Sequence, residues 1–347
     1  MNGNHKERDF FRSIQLIFSM VIVCIVLIMG TGGFFFYQRL SLVPQSSSSV
    51  IVPVSDNPEP QTWQAPDSTS IPLTASGDLI RYGRELIAHT ARYLGPHGRV
   101  GRISNGMNCQ NCHLKSGTKL FGNNYAAVAS TYPRFRERSG GIETMEKRIN
   151  DCIERSLNGQ ALDERSVEMR AIIAWFQWVG KDVKKGEIPP GTGITKLPYL
   201  PRPAEPDKGK KVYEKHCQLC HGRMGEGFKY PDSLEWKYPP LAGRNSYNTG
   251  AGLYRLSKFA GYVKSNMPHG TTYDSPVLSD EEAWDVAAYI NSLPRPVKMF
   301  PRDWPDISTK PVDHPFGPYA DSFSETQHKY GPFEPIQVAR TTKANIP

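Results

Sequence analysis

NGMNCQNCH, residues 105 to 113, and KVYEKHCQLCH, residues 211 to 221, carry one shared signature: Cys109, Cys112 and His113 in the first, Cys217, Cys220 and His221 in the second. A lone C-x-x-C fits a redox dithiol or half a zinc site. C-x-x-C-H is instead the attachment pattern of c-type haem, in which two thiols add across the vinyl groups and the next histidine reaches the iron. Two copies, each preceded by a short helical stretch and neither in a βαβ context, favour haem over the rival readings. Two covalently bound haem c groups are expected. They imply a mainly α protein with two class I cytochrome c-like domains in tandem. Haem of this type is attached on the outer side of an energy-conserving membrane.

Working outward, GDLIRYGRELIAHTARYLG (77 to 95) has helical periodicity before the first motif, and DKGKKVYEKH (207 to 216) compresses the same plan before the second. In each, a glycine stands four residues before an apolar position, Gly83 to Ile87 and Gly209 to Tyr213. An aromatic-rich helix follows each module's loop, at 168 to 181 and at 278 to 294. Ser279 fits an N-cap with Glu282 as its capping-box partner. Period-2 strands are not expected. KKGEIPPGTGITKLPYLPRPAEP (184 to 206) marks the boundary through its Pro and Gly. The expected domains are 77–190 for the first module and 207–296 for the second. A linker occupies 191–206, and an extended, irregular, Pro-rich tail occupies 297–347.

The N-terminal part reads differently. No charged residue occurs from Ser13 to Gln38, a length sufficient to span a bilayer, and the basic excess of His5, Lys6, Arg8 and Arg12 places residues 1–12 in the cytoplasm. The expectation is an uncleaved single-pass anchor at 13–38 in the cell inner membrane, with the haem modules periplasmic. Cys24 is then a membrane-buried apolar residue. Residues 39–76 are rich in Ser and Pro and read as a tether. The 347-residue chain carries a net charge of +8. Its basic residues are scattered without interleaved aromatics, so nucleic acid is excluded as a partner, and anionic small molecules, acidic proteins or lipid headgroups are favoured.

Each iron needs a sixth ligand or an open position. In the second module Met267 of YVKSNMPHG, just before a proline and between two helices, is the candidate; His269 is the alternative, while Met224 and Met299 are poorly placed. In the first module Met145, Cys152 and Met169 are candidates. Cys152 lies in RINDCIERSLNG (148 to 159), where helical spacing puts Arg148, Cys152 and Ser156 on one face with Arg155 bordering it. Cationic neighbours and a metal both favour thiolate. An inert buried cysteine is the alternative, against which stands the oxidising compartment. His89, His97, His216, His314 and His328 read as surface or core histidines.

The order C-x-x-C-H, YPRFRERSG (132 to 140), RINDCIERSLNG, the second C-x-x-C-H and NMPHG, with the tail KPVDHPFGPYADSFSETQHKYGPF (310 to 333), resembles the dihaem thiosulfate dehydrogenases, which also act as tetrathionate reductases. The likeness covers roughly residues 77 to 335. It implies that haem one, on Cys109 and Cys112 with His113 and Cys152 as axial ligands, is the active site. Haem two, on Cys217 and Cys220 with His221 and Met267, would relay electrons to a soluble or membrane redox partner, a cytochrome c or a quinol-linked one. The family's active-site arginine and serine match Arg138 and Ser156. Some members carry Lys before the methionine; here it is Asn266, so His/Met ligation is implied. Thiosulfate and tetrathionate are dianions, for which Arg138, Arg148 and Arg155 are candidate contacts, Arg155 being the one best explained as a solvated charge. The competing readings are a pure electron carrier, a sulfur-oxidation cytochrome subunit with a His/Cys haem, and a dihaem peroxidase.

Overall fold

The computed structural model describes residue 16 and residues 19–29, 62–231 and 233–344. Of the anchor expected at 13–38, residues 16 and 19–29 are helical with exposed side chains, Cys24 among them. The rest of that segment, residues 1–12 and the tether up to residue 61 lie outside the described residues. Among the described residues no helix is long and apolar enough to cross a membrane.

In the first module α1 (Ala75–Ala88) is started by Thr74, whose hydroxyl accepts from the Gly77 amide, and α3 (Val167–Val179) by Ser166, which accepts from Met169. Between them in sequence lies α2 (Met145–Arg155), capped by Thr144. Helices α1 and α3 cross at Gly83, where a Cβ would stand 1.9 Å from the carbonyl oxygen of Ala171. A mid-helix glycine costs about 1 kcal/mol of propensity, which this close approach explains. Around the crossing Leu86 and Ile87 pack with Ile172, Trp175 and Phe176, all buried.

The second module repeats the device. Helix α4 (Pro206–His216) has Pro at its start, where no amide partner is lost. Helix α5 (Leu256–Asn266) and helix α6 (Asp280–Ser292) complete the module, and α6 opens on the expected Ser279–Glu282 capping box. At Gly209 a Cβ would meet the carbonyl oxygen of Asp285 at 1.8 Å. The Asp285 carboxylate accepts two bonds from Arg202 and one from the Glu205 amide, fixing the chain as it enters α4.

Several expectations need correction. Two short antiparallel hairpins exist: β1 (Arg134–Arg136) with β2 (Gly141–Glu143), and β3 (Phe228–Lys229) with β4 (Trp236–Tyr238). At two or three residues they are too short to show an alternating pattern. The ordered fold reaches upstream of residue 77, since Trp63 and Ile71 are buried in the first core. The 191–206 linker is packed rather than free: Ile194, Leu197, Tyr199, Leu200 and Ala204 join the second core. Nor is the tail wholly irregular. It holds α7 (Glu325–Tyr330), capped by Ser324, and α8 (Glu334–Ala344), and Phe333 and Ile336 are buried in the second core.

The two modules belong to one compact unit. The Tyr262 hydroxyl on α5 donates to the carbonyl of Asn111, inside the first haem-attachment motif, at 3.1 Å. The Asn266 side chain donates to the carbonyl of Phe121 at 3.0 Å. Asn248 reaches the end of α2, its amide on the Arg155 carbonyl and its side chain on that of Glu154.

Candidate active site

The first attachment loop is tied to the end of α1. Cys109 N donates to the Thr90 hydroxyl, Gln110 reaches the Ala88 carbonyl, and Asn108 accepts from the Ala91 amide. The chain then turns back through Gly117 (φ +83°), where any Cβ would overlap the ring of Tyr125. That ring stacks on His113 at 4.6 Å. His113 Nδ1 donates to the Asn123 carbonyl, which leaves Nε2 as the lone-pair nitrogen. Burial, with the charge of Arg148 adding to it, pushes the imidazole down to about 4.

One cleft brings His113, Cys109 and Cys112 together with Met145, Arg148, Cys152 and Ser156 of the α2 face. Ile149 and Ile153 of α2 join the first core at the apolar wall of the same cleft, and Asn150 is clasped by both backbone groups of Leu162. Arg148, Cys152 and Ser156 thus line one cleft, as their helical spacing expects, together with those two isoleucines. The Arg148 guanidinium is held above its ordinary range, first by its electrostatic interaction with Cys152. Cys152 also acts on Cys112 and Cys109, whose thiols burial pushes up to about 12 and about 11. Met169 is fully buried in the core and does not line this cleft, whereas Cys152 and Met145 do.

Arg138 does not line the cleft. It has Arg148 and Arg155 in electrostatic reach, and burial followed by the Arg155 charge pushes it down to about 10. Arg155 corrects the expectation of a solvated charge. It is 5 % exposed, makes two bonds to Asp303 and lies 3.6 Å over the ring of Phe300. Asp303, Trp304 and Phe300 come from the tail and escaped sequence reasoning, as did Tyr125 and Asn123. Only the Asp-Trp-Pro run within a Pro-rich tail marks the first group, and nothing local marks the second.

In the second module Cys217 ends α4, and the buried Tyr213 donates to the Gly222 carbonyl to close the loop. His221 Nδ1 donates to the Pro239 carbonyl at 2.9 Å, so Nε2 again holds the lone pair, and burial lowers its pKa. Met267 caps α5 and packs at the margin of the second core with Cys217. Met224 and Met299 are exposed. His269 is exposed too, while His328 is buried between the Val312 carbonyl and Asp321 as a structural residue.

Residues 101–184 match the SoxA/TsdA cytochrome c domain, and residues 204–290 match the family described as cytochrome c oxidase, cbb3-type, subunit III. The thiosulfate dehydrogenase of Psychrobacter arcticus is 38% identical over 71% of this chain and 72% of its own length. That of Allochromatium vinosum is 35% identical over 72% of this chain and 91% of its own. The chain belongs to the thiosulfate dehydrogenase family. A solved thiosulfate dehydrogenase (TsdBA) from Marichromatium purpuratum, in its as-isolated form, superposes with a TM-score of 0.63 at 30% identity, over 71% of this chain and about half (52%) of that one. As a thiosulfate dehydrogenase family member with two cytochrome c domains, the protein carries two covalently bound haem c groups. The residues fit the group: each motif offers two thiols and a neutral imidazole whose outward nitrogen is kept an acceptor by the bond its other nitrogen makes.

Proposed function

We propose that the protein interconverts thiosulfate and tetrathionate in the cleft that holds Cys152, taking two electrons from two thiosulfates in the forward direction. The convergence of Arg148, Cys152 and Ser156 on the first attachment loop is the observation that carries this reading. Haem c, held through Cys109, Cys112 and His113 in one module and Cys217, Cys220 and His221 in the other, supplies one-electron sinks. His113 and Cys152 would hold the iron of the first haem, and His221 and Met267 that of the second. Arg148 stands in electrostatic contact with the reacting Cys152 sulfur. That sulfur bonds to the outer sulfur of thiosulfate as two electrons leave, giving a cysteine S-thiosulfonate. A second thiosulfate attacks the sulfonate-bearing sulfur, so tetrathionate departs and the Cys152 thiolate returns, as in thiol–disulfide exchange. Ser156 and Arg148 bind substrate oxygens, and Arg138 adds its charge from beyond the cleft lining.

Electrons pass from the first module to the second and on to an external redox partner. The charge-free segment at 13–38 supports a single-pass anchor in the inner membrane with the haem modules in the periplasm. Anaerobic mixing of the oxidised holoprotein with thiosulfate tests the catalytic reading. Reduction of the haem bands with tetrathionate as product is the expected result; unchanged bands would leave an electron carrier.

A further inference from the structure

Asp303 has two guanidinium groups near it and serves one. Its carboxylate accepts from both terminal nitrogens of Arg155 at 2.7 and 2.8 Å, the paired geometry in which this contact is strongest. Arg138 stands off, its Nε 4.0 Å from Asp303 Oδ2, and that Nε is buried with no hydrogen-bond partner. Arg155 is held in its place by the Phe300 ring beneath it and by Asp151, 3.7 Å from its Nε. Asp151 is meanwhile bound to Lys147 at 2.6 Å. The turn that delivers Asp303 is pinned as well. Trp304 donates its amide to the Arg138 carbonyl at 2.7 Å and places its ring 5.6 Å from the Arg138 guanidinium. It does so at φ +59°, a left-handed conformation that a bulky side chain adopts only under constraint. Burial and the Arg155 charge both weigh on Arg138, and Asp303 offsets them only in part.

We propose that Arg155 is a positioning residue: by occupying both oxygens of Asp303 it keeps that carboxylate from closing onto Arg138, and so leaves the Arg138 charge to act, from beyond the cleft lining and alongside Arg148, on a sulfur oxyanion in the cleft. The inference rests on the thiosulfate reading and adds a residue that touches neither substrate nor haem. Removing Arg155 while keeping its volume leaves Asp303 free to close the gap onto Arg138. Removing the charge of Asp303 as well opens Arg138 again.

The test is equilibrium dialysis of the fully reduced holoprotein, which cannot accept electrons, against radiolabelled thiosulfate. Arg155→Met weakens binding by about tenfold or more, and the double variant Arg155→Met/Asp303→Asn returns to within about threefold of the parent. Asp303→Asn alone tightens binding about twofold to threefold, because the pocket gains net positive charge. A merely structural role for Arg155 predicts a double variant as weak as the single one, and that result overturns the proposal. So does parental affinity in Arg155→Met. If Arg155→Met fails to acquire haem, Asp303→Asn decides alone, and a tenfold loss there overturns it. A parent that binds thiosulfate but takes no electrons from it removes the catalytic reading and leaves this one to be judged on the affinities. A parent that does not bind thiosulfate removes both.

Discussion

The two modules start from the same parts and end differently. Each fixes its attachment loop to a helix whose glycine presses on the backbone of a partner helix, Gly83 on Ala171 and Gly209 on Asp285. Each ties its histidine through Nδ1 to a backbone carbonyl. The difference lies in what the remaining helix brings. Helix α2 presents Arg148, Cys152 and Ser156 to a cleft and buries Arg155 beside it, whereas α5 buries Leu256, Phe259 and Val263 and ends on Met267. A shared scaffold thus carries a polar cleft in one copy, lined from α2 and its C-cap and backed by a tail loop that pairs with Arg155, and a packed apolar face in the other.

Substitutions can break this contrast or sharpen it. Cys152→Ala has the largest expected effect: thiosulfate turnover is lost while pyridine haemochrome assay still finds both haems attached. Retained turnover would erase the chemical distinction between the modules. Arg148→Gln comes next, lowering kcat/KM by about a hundredfold, since a charge-assisted contact to the sulfur and to a dianion goes with it. Steady-state kinetics at fixed acceptor would show it. Gly83→Ala and Gly209→Ala probe what the modules share. Each forces a methyl group against backbone and is expected to cost about 1–3 kcal/mol in urea unfolding of the holoprotein. Equal losses support one scaffold used twice. Thr144→Ala should be the mildest, costing about 1 kcal/mol through the lost cap of α2, with haem content unchanged.

Much of this was legible because the signals are local. C-x-x-C-H is a covalent requirement written in five consecutive residues, and the Arg148–Cys152–Ser156 face follows from helical repeat alone. The Ser279–Glu282 cap and both glycine steps are equally short-range. What could not be read were the contacts joined by folding rather than spacing. Arg155 and Asp303 are 148 residues apart, and nothing near Arg155 distinguishes a buried, paired guanidinium from one in water. The packed 62–76 segment has the composition of a tether; only Trp63 and Ile71 reveal that it closes the first core. The tail helices were hidden by the prolines around them, since α7 spans only Glu325–Tyr330.

Helix α5 joins the modules in one further respect. Its Tyr262 holds the carbonyl of Asn111 between the two attachment cysteines of the first haem, and one residue past its end stands the methionine assigned to the second iron. A single unbroken stretch of helix thus runs from a contact with the first attachment loop to the methionine proposed for the second, so a change at either end is carried by the same eleven-residue element.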